Sequence, residues 1–171
     1  MQASAARVLT AENDPIVRAD LRLVLEGAGF WVCADARDGV EAVELAREHA
    51  PDAIVLDLGL PRLDGVEAAR RILAERDVPI VALTGISRGL AERAVDAGVD
   101  SYVLKPFVEG EVVGALRDAL ANRAERAVRA KREESRRTIA HMLSLLGHPE
   151  EWADELERRA FAAGRTWRVA R

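Results

Sequence analysis

Short apolar runs alternate with stretches of helical periodicity from residue 7 to about residue 120. The apolar runs cover residues 8–11, 30–34, 53–56, 78–83 and 101–104. Helical spacing of apolar positions follows each run, over residues 14–28, 40–46, 66–73, 90–97 and from 108 onward, and residues 38–39 are predicted to form a turn before the second helix. This alternation predicts βα units built on a parallel sheet. Uninterrupted apolar stretches such as 54–56 and 80–83 are typical of strands that are buried on both faces. The pattern therefore predicts a doubly wound α/β fold with five parallel strands.

The fifth predicted helix continues without a helix breaker as far as Gly147, although large apolar residues are scarce in its middle. Residues 119–137 contain seven basic and three acidic side chains. An apolar cluster follows at 139–146, and a further helix is predicted over 150–163, where Gly164 provides a C-cap. We therefore expect three parts: an α/β domain over 1–120, a basic helical linker over 121–137 that continues the fifth helix, and a small helical tail over 138–171.

The composition restricts the class of protein. Of the 171 residues 49% are hydrophobic and one is a cysteine, so we expect a packed core and no internal disulfide. No uncharged apolar run approaches the ~20 residues of a membrane span, and the first residues lack the apolar core of a secretion signal. We therefore expect a cytoplasmic protein without a membrane partner. Residues 1–118 carry 13 basic and 21 acidic side chains, which argues against nucleic-acid binding by the α/β part.

Polar side chains follow the predicted strands at their carboxyl ends, where an open parallel sheet binds its ligands. Glu12 and Asn13 follow the first strand, Asp57 ends the third, Thr84 the fourth and Lys105 the fifth, while the second contributes only Asp35. These residue types suit phosphoryl transfer to a carboxylate, with Asp57 as the nucleophile. Glu12 and Asn13 would supply oxygen atoms to Mg²⁺, and Lys105 and Thr84 would contact the phosphoryl oxygens.

The segments VLTAENDP, IVLDLGLPRLDG, VALTG and YVLKPF stand in this order in the chain. With this set of motifs, residues 7–120 resemble the receiver domain of two-component response regulators. The resemblance implies the sheet order 2-1-3-4-5 and phosphorylation of Asp57 by a histidine kinase or phosphotransfer protein. It also implies that the Gly59 carbonyl binds the metal, that Tyr102 acts with Thr84 as a switch residue, and that the Lys105–Pro106 bond is cis. The resemblance also implies that the protein is not an enzyme that acts on an external substrate.

Asn13 departs from the family pattern, which has acidic residues at both of the positions that Glu12 and Asn13 occupy here. An asparagine can ligate through its carbonyl oxygen but carries no charge, so we expect weaker Mg²⁺ binding and slower phosphorylation. A first alternative is therefore a pseudo-receiver that no longer accepts phosphate and serves as a protein-interaction or dimerisation module.

The basic stretch leaves a second alternative open. Its arginines could contact phosphates, but their spacing spreads them around a helix between Glu125, Glu133 and Glu134, which is typical of a solvated helix. The receiver segment looks most like those of regulators with an ANTAR RNA-binding output domain. The tail resembles that output domain only weakly and is shorter than it. We therefore keep an RNA-binding antiterminator as an alternative. Self-association is expected through the tail or through the face formed by the fourth helix, fifth strand and fifth helix.

Overall fold

The computed structural model describes residues 5–85 and 88–145. Within them, strands and helices alternate along the chain as the periodicity predicts. The strands are β1 (Arg7–Ala11), β2 (Trp31–Ala36), β3 (Ala53–Asp57), β4 (Ile80–Thr84) and β5 (Ser101–Leu104). The helices are α1 (Pro15–Gly27), α2 (Gly39–His49), α3 (Gly65–Glu75), α4 (Arg88–Asp96) and α5 (Glu109–Leu145).

The five strands form one parallel sheet in the order β2-β1-β3-β4-β5. Every residue of β3 and of β4 is buried, as their uninterrupted apolar sequences predict. Alternate residues of the strands contribute to two hydrophobic clusters: Leu9 and Ile54 pack with Ile72 of α3 in one, and Val8 packs with Leu21 of α1 in the other. Both faces of the sheet are therefore covered, and the predicted doubly wound α/β fold and its strand order are confirmed.

Three aspartates start the helices that follow the first three strands. Asp14, Asp38 and Asp64 are the N-caps of α1, α2 and α3, and each side chain accepts hydrogen bonds from backbone N–H groups of the first helical turn. These bonds satisfy donors that would otherwise have no partner at a helix start. The caps thereby hold the N-termini of three helices at the carboxyl edge of the sheet.

The chain divides into two compact units, Met1–Arg123 and Ala124–Arg171. Helix α5 extends into the second unit, where residues 124–134 are exposed and Glu133 pairs with Arg137 at 3.4 Å. The predicted helix over 150–163 and most of the predicted tail over 138–171 lie outside the described residues. No helix in the described ranges is long and apolar enough to cross a membrane.

Candidate functional site

Asp57 is the last residue of β3, and its carboxylate has a partner on each oxygen. The backbone N–H of Gly59 donates to Oδ1 at 2.9 Å, and the ammonium of Lys105 lies 2.9 Å from Oδ2. Only 6% of the residue is exposed. The carboxylate therefore lies in a fixed orientation at the sheet edge, with a positive charge beside it.

Glu12 shares the same ammonium. Its Oε2 lies 2.5 Å from Lys105 Nζ, and its Oε1 accepts a hydrogen bond from the backbone N–H of Asp14 at 3.0 Å. Burial of the ammonium lowers the pKa of Lys105, but the bonds to Glu12 and Asp57 outweigh it, so the pKa is raised. Lys105 is therefore positively charged throughout the neutral range and bridges two carboxylates that approach from different strands.

Asn13 lies beside Glu12 on the loop between β1 and α1, and it is exposed. The guanidinium of Arg18 on α1 holds this loop, because Nη1 donates to the backbone oxygens of Glu12 at 2.6 Å and of Asn13 at 3.3 Å. Sequence reasoning missed Arg18. Its only signal was a basic residue one turn into the helix that follows Glu12 and Asn13. Asp14 points away from the site as the α1 cap, with Oδ1 2.8 Å from the backbone nitrogen of Ile16.

The ends of β4 and β5 complete the edge. Thr84 is buried, and its hydroxyl donates to the Gly85 carbonyl at 3.0 Å. The backbone oxygen of Thr84 accepts from the backbone nitrogen of Lys105 at 2.8 Å, and the Lys105–Pro106 bond is cis. Tyr102 of β5 is half exposed. The structure thus brings Glu12, Asp57 and Lys105 into direct contact and places Thr84 next to Lys105 in the backbone.

Asp35 does not contribute to this edge, contrary to the sequence-based prediction. Strand β2 extends to Ala36, so Asp35 lies within the strand. Its carboxylate accepts from Thr10 Oγ1 and from Arg22, whose Nε lies 3.1 Å from Oδ2. It therefore links β1 and β2 to α1.

Two glycines that sequence reasoning overlooked determine how closely the loop after Asp57 packs. A β-carbon on Gly65 would lie 2.1 Å from the backbone oxygen of Asp57, and one on Gly39 would lie 2.0 Å from the backbone oxygen of Leu63. Neither position has room for a side chain. The signal for both was an Asp-Gly pair, at 38–39 and at 64–65, of which the first predicted a turn and the second belongs to the motif after the third strand.

The donor atoms at this edge suit a small divalent cation. The described residues contain no group of three or more His, Cys, Asp or Glu side chains that could hold a metal. The candidate ligands are the carboxylates of Glu12 and Asp57, the amide oxygen of Asn13 and the carbonyl of Gly59, all of them oxygen atoms. Mg²⁺ prefers oxygen ligands and is usually held by one or two carboxylates and several waters. The residues present therefore fit Mg²⁺, with one charge fewer than three carboxylates would supply.

A family model described as the response regulator receiver domain matches residues 8–117. The chain belongs to this family. The receiver resemblance predicted from the four motifs is therefore confirmed, and Glu12, Asp57 and Lys105 all lie within the matched segment.

Curated relatives are mycobacterial response regulators. Transcriptional regulatory protein PdtaR of Mycobacterium tuberculosis (strain ATCC 25618 / H37Rv) is 40% identical over 148 residues, which cover 82% of this chain and 72% of that protein. This match is longer than the receiver segment, so it extends beyond it. Response regulator MprA of Mycobacterium sp. (strain KMS) is 41% identical over 117 residues, 67% of this chain and 50% of that protein.

A solved receiver shares the fold. The crystal structure of the receiver domain of sensor histidine kinase PA1611 from Pseudomonas aeruginosa PAO1 has a magnesium ion coordinated in its active-site cleft. It is 34% identical to this chain with a TM-score of 0.63, over 68% of this chain and 98% of that one.

Proposed function

We propose that this response regulator accepts a phosphoryl group on Asp57 from a histidine kinase or phosphotransfer protein. The observation that carries the proposal is the contact of one ammonium, Lys105, with both Asp57 and Glu12, at 2.9 and 2.5 Å. A carboxylate nucleophile held next to a fixed positive charge is the arrangement that phosphoryl transfer requires, because most of the catalysis is positioning and charge stabilisation.

The phosphoryl transfer is a displacement at phosphorus. An oxygen of Asp57 attacks the phosphorus of a phosphohistidine, the P–O bond forms, the P–N bond breaks and the electron pair stays on the imidazole nitrogen. Lys105 remains protonated and contacts the transferred oxygens, and the Thr84 hydroxyl turns from the Gly85 carbonyl to donate to them. Glu12, Asn13, Asp57 and the Gly59 carbonyl would hold Mg²⁺. When bound, the ion neutralises charge on the phosphoryl oxygens.

Exposed apolar residues beside the site support a protein as phosphodonor. Ile16, at the start of α1, is 72% exposed, and Val108, just beyond Lys105–Pro106, is 62% exposed. Each is close in the chain to a site residue, Ile16 to Asn13 and Val108 to Lys105. A protein phosphodonor has to seat against the rim to bring its histidine to the largely buried Asp57, and apolar rim residues favour such a contact.

Signal output is proposed for the face formed by α4, β5 and α5 and for the helical extension. Within the described residues this face exposes Val95, Tyr102 and Leu104, each half or more accessible. Tyr102 and Leu104 are on β5, which ends one residue before Lys105, so a shift of Lys105 and Thr84 on phosphorylation would reach this face directly. A change of partner, including self-association, would follow.

Intact mass after incubation with acetyl phosphate across a Mg²⁺ series tests the proposal. One phosphoryl adduct that needs Mg²⁺, is absent from Asp57→Asn and persists in the control Asp20→Asn on exposed α1 is the expected result. A folded protein that gains no adduct at any Mg²⁺ concentration, or from a partner phosphodonor, contradicts it. The chain would then be a pseudo-receiver that acts as an interaction module.

The exposed basic stretch supports a second candidate, binding of RNA by the extension of α5. Its basic side chains in the second unit are Arg126, Arg129, Lys131, Arg132, Arg136 and Arg137. The match to PdtaR, named a transcriptional regulator, extends beyond the receiver segment. RNA retention that falls steeply with salt and is lost on charge reversal of Arg129, Arg132 and Arg136 supports this candidate. Retention unaffected by charge reversal excludes it.

A further inference from the structure

The loop between Asp57 and helix α3 contains a turn with unfavourable backbone geometry. Arg62 has a φ of 65°, and the backbone nitrogen of Leu63 donates to the oxygen of Pro61 at 2.7 Å. A three-residue turn whose central residue has positive φ is rare and strained, and a residue with a β-carbon adds to the strain. Such a turn persists only where the surrounding structure holds it.

Helix α2 supplies the contacts that hold this turn. Arg62 Nη1 lies 3.0 Å from Asp38 Oδ2, and the backbone nitrogen of Gly39 approaches the Pro61 oxygen at 3.4 Å. Asp38 is itself fixed, because its Oδ1 accepts from the backbone nitrogens of Val40 and Glu41, each at 2.9 Å. One carboxylate oxygen therefore caps α2, and the other holds the Arg62 side chain.

The same loop carries the atoms that orient Asp57. The Gly59 N–H donates to Asp57 Oδ1, and the Gly65 N–H donates to the Leu58 oxygen at 3.1 Å, so the loop is tied at both ends. Between these ties, the described contacts that restrain residues 61–63 come from Asp38 and Gly39. Gly59 lies two residues before this turn, between the buried Leu58 and Leu60, so the turn is the nearest part of the loop through which α2 could influence the position of the Gly59 N–H.

We infer that Asp38 and Arg62 are positioning residues for phosphoryl transfer, and that their ion pair holds the strained turn so that Gly59 keeps the Asp57 carboxylate in its reactive orientation. The inference rests on the proposed function of Asp57. The Arg62 side chain is 66% exposed, and an exposed ion pair contributes little to stability. Positioning and stability are therefore separable here.

Arg62→Gln separates them, because it removes the charge of the ion pair and keeps the β-carbon that opposes positive φ. We expect a free energy of unfolding close to that of the unaltered protein, with phosphorylation by acetyl phosphate slowed about tenfold. Arg62→Lys keeps the charge and should recover most of the rate. Asp38→Asn should slow transfer by a similar factor, and the double variant should be no slower than either single one.

Each outcome of these experiments either supports the positioning role of Asp38 and Arg62 or contradicts it. A purely structural role predicts rates that follow stability, so Arg62→Gln that is stable and transfers at the original rate overturns the inference. Amide exchange of the Gly59 N–H, measured by NMR, gives a readout that needs no transfer. Faster exchange in Arg62→Gln supports the inference, and unchanged exchange contradicts it. If the unaltered protein takes no phosphoryl group, the proposed function fails, while the exchange comparison still decides whether the pair positions the loop.

Discussion

Lys105 and Glu12 form an ion pair across the carboxyl edge of the sheet, although they are 93 residues apart in the chain. Glu12 is 1% exposed, and Lys105 is also bound to Asp57. The ammonium thus compensates two carboxylates at once. This relationship makes the site dependent on one side chain for both stability and charge balance.

Replacement of Lys105 by methionine should destabilise the protein. Glu12 would remain buried with the Asp14 N–H as its remaining partner, and an uncompensated buried charge is costly, so we expect a loss of about 2–3 kcal/mol in the free energy of unfolding. Urea denaturation at pH 7 measures it. Adding Glu12→Gln to Lys105→Met should restore part of the loss, because the amide needs no counter-charge. Equal stability of Lys105→Met and the parent protein would contradict this account.

Asn13→Asp should strengthen Mg²⁺ binding. It adds a charged oxygen ligand next to Glu12, and cation affinity follows the number of ligand charges, so we expect a Kd about tenfold lower. Isothermal titration calorimetry measures the Kd, and the acetyl phosphate reaction should accelerate at low Mg²⁺. The control Asn122→Asp makes the same change on exposed α5 and should leave the Kd unaltered. An unchanged Kd in Asn13→Asp would show that position 13 does not limit the site.

Gly65→Ala should destabilise the protein strongly, although it adds only one methyl group. The added β-carbon would lie 2.1 Å from the Asp57 backbone oxygen, and overpacking against backbone costs roughly 2 kcal/mol or more. The matched control is Gly114→Ala in α5, where nothing lies within 4 Å and the helix should gain up to about 1 kcal/mol. Thermal unfolding compares the two variants, which should shift Tm in opposite directions. A shift in the same direction would refute the packing argument.

Asp38 should add a pH-dependent part to stability. The N–H of Glu41, together with Arg62 and the N–H of Val40, holds the pKa of Asp38 below its ordinary value. A lowered folded pKa contributes stability above the unfolded value of about 3.9 and loses it as pH falls through the folded pKa. The stability difference between the parent and Asp38→Asn should therefore be constant near neutrality and shrink below about pH 4. Urea unfolding from pH 2.5 to 7 tests this prediction. A stability difference between the parent and Asp38→Asn that grows as the pH falls would contradict it.

Much of the fold followed from periodicity. The apolar runs that ended at Leu56 and Leu83 placed Asp57 and Thr84 at strand ends, because buried strands stop where polar side chains reach the edge. The error at Asp35 came from the length of β2. Pairing of Ala11 with Ala36 lengthens that strand, and a two-residue extension moves a carboxylate from the edge into the sheet.

Local alternation of apolar and polar residues predicts which side chains reach the carboxyl edge, because strand ends follow from it. Which of these side chains come into contact depends on how distant parts of the chain pack. The hydrogen bonds from Arg18 to the loop between β1 and α1 join close neighbours in the chain. The contact of Lys105 with Glu12 and the pairing of Arg62 with Asp38 join segments whose separation depends on sheet order and helix packing. The positive φ of Arg62 belongs to the same class, because local propensity opposes it and contacts from α2 hold it.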